Sequence, residues 1–128
     1  MEPPVGTHLL LELRGCPCER LEDAAHVREA VGAAVRAAGA TLVDVVLHAF
    51  PGGGVTALAL LAESHLSVHT WPEHGYAAVD VFTCGADTEP EAAARAMAAA
   101  LGAAETELRS VRRGVSCSGS ESGVERIS

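Results

Sequence analysis

The 128-residue chain contains no lysine, because all nine of its basic residues are arginine. Without a lysine ε-amine the protein cannot form the internal aldimine that holds pyridoxal phosphate, or any other lysine Schiff base. An enzyme with this sequence that works on amines must therefore take its reactive carbonyl from another source.

Aromatic residues and long apolar runs are also scarce. Aromatics make up 3% of a chain that is 48% apolar, so small aliphatic side chains must build the core, which favours helices packed tightly on a sheet. The longest apolar run, residues 57–62, is far shorter than the roughly 20 residues of a membrane span. No charged segment followed by an apolar one opens the sequence, so we expect no signal peptide and a cytoplasmic protein.

Basic residues are fewer than acidic ones, and the formal net charge is −8 at neutral pH. Nucleic acids and anionic membranes both need a basic face, so we expect neither as a partner, whereas a cationic small molecule suits the chain. There are four cysteines, and without a sign of secretion we expect reduced thiols. Cys16 and Cys18 are too close for an ordinary disulfide and lack the spacing of common zinc sites.

The apolar pattern predicts one domain, residues 1–113, followed by a flexible tail at 114–128. Strands are predicted at 5–13, 41–50, 55–62, 65–70, 76–83 and 105–112, and helices at 19–38 and from the N-cap Thr88 to Leu101. Gly39 and Gly102 are expected to end the helices, and residues 51–54 to form a hairpin turn. The fold class is therefore α+β: a two-layer sandwich of a largely antiparallel sheet with two main helices on one face.

Unusual side chains gather between residues 62 and 85, where three of the six histidines, the single Trp, the single Tyr and a cysteine occur. On a helix His65 and His69 would face one metal ion, but their alternation with Leu66 and Val68 predicts a strand. Along a strand the two rings stand about 13 Å apart, at roughly 3.3 Å per residue, which is too far to share one ion.

Two further interpretations of this stretch stay open from the residues alone. Ser64 or Cys84 could be a nucleophile with a histidine as its base, although no Gly-x-Ser-x-Gly motif is present. Alternatively, these polar side chains lie on an exposed strand face, with Cys84 packed as a small core residue.

Residues 63–73, ESHLSVHTWPE, and 75–85, GYAAVDVFTCG, closely resemble the signature of the prokaryotic S-adenosylmethionine decarboxylase proenzymes. A weaker resemblance covers most of the rest of the chain, through residues 6–9, Cys16, residues 48–50 and residues 113–114. It implies a pyruvoyl enzyme, which agrees with the absence of lysine.

In that family a Glu-Ser bond breaks autocatalytically, and the matching bond here is Glu63–Ser64. The resemblance implies that residues 1–63 become the β chain and residues 64–128 the α chain, headed by a pyruvoyl group made from Ser64. This cofactor would form a Schiff base with the substrate amine and accept the electrons released as carbon dioxide leaves.

The resemblance also implies roles for the surrounding residues. His69 would assist self-processing, and Cys84 would donate the proton that completes the product. Phe50 would stack on adenine, and Glu73 would hold polar or cationic parts of the substrate. Thr56 stands where bacterial members usually carry a serine that supports self-cleavage, and it keeps the hydroxyl.

The implied function is the conversion of S-adenosylmethionine to its decarboxylated form for spermidine synthesis, by a homodimer of cleaved protomers without a metal. A first alternative is arginine or ornithine decarboxylation, since some relatives use the same pyruvoyl machinery on these substrates. A second alternative is a non-catalytic regulatory or metal-binding domain that uses His65, His69, His74 and Cys84. His65 and Asp80 share the motif, but we assign them no chemistry at this point.

Overall fold

The computed structural model describes residues 5–84 and 87–114. The elements are β1 (Gly6–Arg14), α1 (Cys18–Leu21), α2 (Ala24–Ala38), β2 (Leu42–Ala49), β3 (Val55–Leu61), β4 (Ser64–Trp71), a 3-10 turn (Pro72–His74), β5 (Tyr76–Cys84), α3 (Pro90–Leu101) and β6 (Glu105–Arg113). Apart from Gly114, the tail predicted to be flexible lies outside the described residues.

The six strands form one antiparallel sheet in the order β2-β3-β4-β5-β1-β6. Side chains alternate along each strand, and Leu9, Leu11 and Leu13 of β1 are buried while their neighbours are less so. Helices α2 and α3 cover the face that carries these buried residues. We call this the helix face and the opposite one the open face. The layout confirms the predicted α+β sandwich with two main helices on one face.

Small aliphatic side chains fill the space between the helices and the sheet. The buried residues of the two helices are Val27, Ala30, Val31, Ala34, Val35 and Ala38 in α2, and Pro90, Ala93, Ala94, Met97 and Leu101 in α3. Alanine carries a single methyl group, so the helix backbones can approach the sheet closely without leaving voids. The core is thus built from small aliphatic side chains, as the shortage of aromatics in the sequence predicts.

The helix predicted over residues 19–38 is divided in the structure. Asp23 interrupts it, because its side chain accepts a hydrogen bond from the backbone N–H of His26 at 3.1 Å and so caps the start of α2. The preceding turn, Cys18–Leu21, forms the short helix α1. Leu21 and Ala24 keep the three-residue spacing of a single helix, so the apolar pattern continues across this break. The pattern alone therefore does not predict the cap at Asp23.

The start of α3 also differs from the prediction. Glu89, and not Thr88, occupies its N-cap position, and no side chain caps the helix there. Pro90 begins the helix and has no N–H that would need a partner, so a capping hydroxyl is less necessary. The predicted ends are confirmed, since Gly39 and Gly102 adopt left-handed C-caps with φ of 70° and 71°. Across the described residues, we find no helix with the length and apolar character that crossing a membrane requires.

The predicted hairpin between β2 and β3 is confirmed, and its turn is pressed against the end of β4. The backbone N–H of Phe50 donates to the carbonyl of Gly54 at 2.8 Å, which closes the turn. A Cβ atom at Gly54 would lie only 2.9 Å from the backbone oxygen of Thr70. Glycine at this position therefore allows the turn to approach β4, and the approach brings Phe50 beside the end of that strand.

Candidate active site

The open face of the sheet carries most of the residues that the sequence singled out. Because β4 buries every second side chain from Leu66 onward, His65, Ser67 and His69 are left on the open face. The same alternation along β5 brings Cys84 to this face, half-buried. The polar strand face was thus correctly anticipated, but Cys84 is not a core residue.

These residues form two groups at opposite ends of the strands. The first group, which we call the Glu63–Ser64 cluster, consists of Glu63, Ser64, His65, Asp80 and Cys84. The second group surrounds His69. Since His69 lies five positions after Ser64 on the extended strand β4, the two positions are about 16 Å apart at roughly 3.3 Å per residue. A single protomer therefore does not bring Ser64 and His69 together.

The carbonyl group of Glu63 receives two hydrogen bonds from Cys84. The backbone N–H of Cys84 donates to the Glu63 carbonyl oxygen at 3.1 Å, and the Cys84 thiol Sγ donates to the same oxygen at 3.1 Å. Two donors on one carbonyl oxygen polarise the C=O bond and stabilise a negative charge that develops on the oxygen. The carbonyl carbon of Glu63 is thereby prepared for attack by a nucleophile.

Ser64 has an unusual backbone conformation. Its φ of 153° is positive, which no other described residue except glycine shows. Such conformations cost on the order of 1–3 kcal/mol and persist where the surrounding structure imposes them. The strain lies at the bond for which the sequence predicts cleavage.

The side chain of Glu63 is held by Thr41. The backbone N–H and the hydroxyl of Thr41 donate to the two carboxylate oxygens of Glu63 at 3.0 Å and 3.2 Å. The hydrogen bond from the Thr41 backbone lowers the pKa of the Glu63 carboxyl below its ordinary value. This ionised side chain anchors the turn between β3 and β4.

Asp80 is the centre of a hydrogen-bond network beside Ser64. Its Oδ2 atom lies 2.6 Å from Nε2 of His8 and 3.1 Å from Nε2 of His65, and its Oδ1 atom accepts a hydrogen bond from the Ser67 hydroxyl. Burial raises the pKa of Asp80, but the hydrogen bonds from Ser67, His8 and His65 outweigh burial and leave that pKa below its ordinary value. Asp80 is therefore a carboxylate at neutral pH.

The second group lines a pocket of about 290 Å³ at the other end of β4. We call it the Phe50 pocket, and its walls are Phe50, Gly52, Gly54, Thr56, His69, Thr70, Trp71 and Glu73. The hydroxyl of Thr56 lies 3.1 Å from Nδ1 of His69. Phe50 is 49% exposed and Trp71 is 40% exposed, so both rings offer an open surface. The pocket thus unites four residues that the sequence had linked to processing or substrate binding.

Comparison of the sequence with models of known protein families identifies the family of this chain. The family model described as S-adenosylmethionine decarboxylase matches residues 7–114, which include both groups of residues. The chain belongs to the S-adenosylmethionine decarboxylase family.

Individual members of this family resemble the chain over most of its length. The S-adenosylmethionine decarboxylase proenzyme of Prochlorococcus marinus is 53% identical over 109 residues, which cover 85% of this chain and 87% of that protein. The proenzyme of Methanococcus maripaludis is 45% identical over 111 residues, which cover 87% of this chain and 91% of that protein. The crystal structure of the adenosylmethionine decarboxylase from Aquifex aeolicus matches with a TM-score of 0.85 at 32% identity, covering 94% of this chain and 100% of that one.

These comparisons confirm the resemblance, the enzyme class and the leading function, that of an S-adenosylmethionine decarboxylase proenzyme. They do not favour the alternatives, an arginine or ornithine decarboxylase or a non-catalytic domain. The roles of Ser64, Glu63, His69, Cys84, Thr56, Phe50 and Glu73 stay predictions.

Among the described residues of this decarboxylase, His8, His65 and Asp80 are the group whose ligand atoms lie close enough to hold a metal ion. Arg113 opposes this use, because its guanidinium, which can only donate, lies 2.9 Å from Nδ1 of His8. That nitrogen must then accept, so Nε2 carries the proton and donates to Asp80. A protonated Nε2 has no lone pair for a metal, and the three residues form a hydrogen-bond network instead.

His8 and Arg113 were not identified from the sequence as site residues, and Asp80 received no role. His8 lies on β1 and Arg113 on β6, far from the central motif in sequence. His8 reaches Asp80, and Arg113 reaches His8, because β1 pairs with both β5 and β6. Sequence spacing carries no information on strand order. The only sequence signals were that Asp80 lies within the motif itself and that His8 and Arg113 lie in the weaker matches at residues 6–9 and 113–114.

Proposed function

We propose that this chain cleaves its own Glu63–Ser64 bond and that Ser64 becomes the pyruvoyl group of an S-adenosylmethionine decarboxylase. The observation that carries the proposal is the pair of hydrogen bonds from Cys84 to the Glu63 carbonyl oxygen. They activate the one carbonyl group that the Ser64 hydroxyl must attack. The strained backbone at Ser64 favours cleavage further, because breaking the bond releases the strain.

The residues around Ser64 suit a pyruvoyl group in that position. Ser64 begins β4 at the edge of the open face, so a new chain terminus there stays anchored by the β-sheet hydrogen bonds of the strand. A pyruvoyl group supplies a ketone that withdraws electrons from the substrate as carbon dioxide leaves. Cys84 lies on the adjacent strand β5, from which its thiol can deliver a proton to the substrate carbon.

A homodimer would complete the site. Within one protomer the Phe50 pocket and the Glu63–Ser64 cluster stand at opposite strand ends, but both belong to the open face. Two protomers can stack their open faces about a two-fold axis that lies between the sheets and runs perpendicular to the strands. This axis reverses the strand direction, so the Phe50 pocket of one protomer lies over the Glu63–Ser64 cluster of its partner. Large apolar side chains support this contact, since Val46, Leu58 and Leu60 on the open face are 62%, 45% and 52% exposed.

In such a dimer His69 and Thr56 of one protomer would serve the Ser64 of the other. The imidazole of His69 would move the proton during the elimination step that follows ester formation, and the Thr56 hydroxyl at 3.1 Å would hold the ring in place. The distance of about 16 Å between Ser64 and His69 along β4 is then no obstacle.

The Phe50 pocket has the chemistry that a cationic nucleoside sulfonium needs. The exposed ring of Phe50 offers a face on which adenine can stack, and the exposed carboxylate of Glu73 can attract the positive sulfonium. The net charge of −8 favours a cationic substrate and disfavours nucleic acid. We assign the enzyme to the cytoplasm. Cys84 can donate a proton only as a reduced thiol, and the cytoplasm is the compartment that keeps thiols reduced.

Carbon dioxide release tests the proposed substrate. The purified protein is incubated with carboxyl-labelled S-adenosylmethionine, arginine or ornithine, and labelled gas is collected. We expect release from S-adenosylmethionine, and we expect Glu73→Gln to raise the KM for it by about tenfold through the loss of one charge contact. Release from arginine or ornithine but not from S-adenosylmethionine would overturn the proposal.

A further inference from the structure

The hydroxyl of Ser64 has a histidine and an aspartate aligned behind it. Its Oγ atom lies 3.3 Å from Nδ1 of His65, and Nε2 of the same ring lies 3.1 Å from Oδ2 of Asp80. A serine, a histidine and an aspartate joined in this order form the arrangement in which histidine withdraws the proton of a hydroxyl nucleophile. Neither His65 nor Asp80 has a part in the function proposed above.

The contact between Ser64 and His65 requires the unusual backbone of Ser64. Neighbouring side chains on a regular strand point to opposite faces of the sheet, so they cannot form a hydrogen bond with each other. The positive φ of 153° at Ser64 departs from regular strand geometry where the contact forms. The strained conformation thus presents the hydroxyl to the ring.

The partners of His65 fix which ring nitrogen carries the proton. Asp80 is a carboxylate, and it can only accept, so Nε2 of His65 must donate to it. In a neutral ring the other nitrogen, Nδ1, then has a free lone pair. That lone pair faces the Ser64 hydroxyl, which is the orientation that a general base requires.

Asp80 is itself held by two further side chains. The Ser67 hydroxyl donates to Oδ1, and Nε2 of His8 donates to Oδ2 at 2.6 Å. Arg113 in turn orients His8 through its contact with Nδ1 at 2.9 Å. A carboxylate with so many fixed contacts can hold the His65 ring in one orientation and stabilise a positive charge on it.

Other candidate bases near Ser64 are occupied or distant. The Glu63 carboxylate is bound to the backbone N–H and the hydroxyl of Thr41. His69 of the same protomer lies about 16 Å along the strand, and in the proposed dimer His69 of the other protomer acts in the later elimination step. Within the described residues, His65 is the ionisable side chain whose hydrogen bond reaches the Ser64 hydroxyl.

We propose that His65 is the general base that activates Ser64 for self-cleavage, and that Asp80 is the residue that positions His65. The inference rests on the proposed self-cleavage and assigns its first step. As Oγ of Ser64 attacks the carbonyl carbon of Glu63, its proton passes to Nδ1 of His65, and the Cys84 donors stabilise the resulting oxyanion. The C–N bond then breaks, its electron pair stays on the Ser64 nitrogen, and that nitrogen takes the proton from His65. The product is an ester with a free amine, and no atom or electron is gained or lost.

Two substitutions at His65 separate a base from a structural residue. His65→Ala removes the ring, whereas His65→Gln keeps an N–H group that can donate to Asp80 but offers no basic nitrogen. Each variant is compared with the wild type and with His74→Ala, an exposed histidine that takes no part in the site. Circular dichroism against the uncleavable Ser64→Ala chain checks the folding of each variant. Cleavage over time is measured by electrophoresis and intact-mass spectrometry.

We expect both His65 variants to cleave about a hundredfold more slowly than the wild type, since general base catalysis contributes at least that factor. His74→Ala should cleave at the wild-type rate. Asp80→Asn, which removes the charge but keeps the size, should slow the same step. Imidazole added to His65→Ala should accelerate its cleavage, because the free base can enter the space that the ring leaves.

Hydroxylamine identifies the step that each variant fails to complete, because it cleaves an ester rapidly and an amide slowly. His65 and Asp80 variants should retain the amide and resist hydroxylamine, whereas His69→Ala should stop at the ester and be cut by it. The inference is overturned if His65→Gln cleaves like the wild type, if a folded His65 or Asp80 variant accumulates ester, or if imidazole gives no acceleration. A wild-type chain that never cleaves would instead refute the proposed function.

Discussion

At the residue scale, Thr56 and His69 act as a pair in the proposed processing reaction. The Thr56 hydroxyl lies 3.1 Å from Nδ1 of His69, and removing it leaves the ring free to rotate. We expect Thr56→Ala to slow self-cleavage about fivefold, the rate equivalent of one hydrogen bond of about 1 kcal/mol, with ester accumulating. Thr56→Ser keeps the hydroxyl and should cleave normally. Equal rates for both variants, measured by electrophoresis, would show that the hydroxyl has no part in processing.

The ionisation of Asp80 makes the stability of the fold depend on pH. Because its folded-state pKa lies below the ordinary value of 3.8, its ionised form stabilises the folded state at pH values above that value. This stabilisation is lost as the pH falls through the folded-state pKa. Urea unfolding of Ser64→Ala and of Ser64→Ala with Asp80→Asn tests it. The double variant should be less stable at neutral pH, and the difference should shrink near pH 3, whereas a constant difference would contradict this account.

Individual site residues could be predicted from the sequence only where a motif contained them. Ser64 and Cys84 belong to one long signature, and the structure joins them through the Glu63 carbonyl. The network of His8 and Arg113 around Asp80 could not be predicted, because it depends on β1 lying between β5 and β6. Strand order follows from long-range packing, which a local pattern does not encode.

At the scale of elements, the turn between β2 and β3 shapes the Phe50 pocket. A Cβ atom at Gly54 would meet the Thr70 backbone oxygen at 2.9 Å, whereas a Cβ at Gly52 would meet nothing within 4 Å. We expect Gly54→Ala to lower the free energy of unfolding by about 1–3 kcal/mol and to raise the KM for substrate, since the turn must move away from β4. Gly52→Ala is the matched control for stability and should leave the free energy of unfolding unchanged, because its Cβ meets no neighbour. If thermal unfolding gives the same value for both variants, the close approach of the turn is unimportant.

Most helices and strands could be predicted from local sequence patterns. Local patterns predicted all six strands: apolar and β-branched runs bounded by turn residues for several of them, and alternation for β4. Glycine C-caps predicted both helix ends, because such signals depend on neighbours in sequence. The errors fell at helix starts. Asp23 caps α2 within an unbroken apolar pattern, and Glu89 takes the N-cap position that Thr88 was expected to fill. In both places, the apolar spacing does not determine which of the neighbouring polar residues takes the N-cap position.

At the scale of the whole molecule, the separation of the two groups on the open face predicts a shared site between protomers. Ser64→Ala lacks the nucleophile but keeps His69, and His69→Ala has the opposite defect. When the two variants are co-expressed, a mixed dimer brings an intact Ser64 to an intact His69 of the partner. We expect the His69→Ala chain to be cleaved in the mixture but not alone.

The mixed-dimer experiment needs proof that the two chains associate. Different affinity tags on the two variants allow mixed dimers to be isolated before cleavage is scored. Cleavage of the His69→Ala chain in those dimers supports a site built from both protomers. Isolated mixed dimers that stay uncleaved would mean that each protomer uses its own His69, and the open faces would then not be the interface that we propose.

The central claim, self-cleavage at Glu63–Ser64, is tested most directly by intact-mass spectrometry of the purified protein. We expect two fragments, residues 1–63 with an ordinary carboxyl terminus and residues 64–128 beginning with a pyruvoyl group in place of Ser64. Ser64→Ala, analysed in parallel, should give one mass for the full chain. A single uncleaved mass for the wild-type protein would refute self-cleavage, and a second fragment that begins with an intact serine would refute the conversion of Ser64 to a pyruvoyl group.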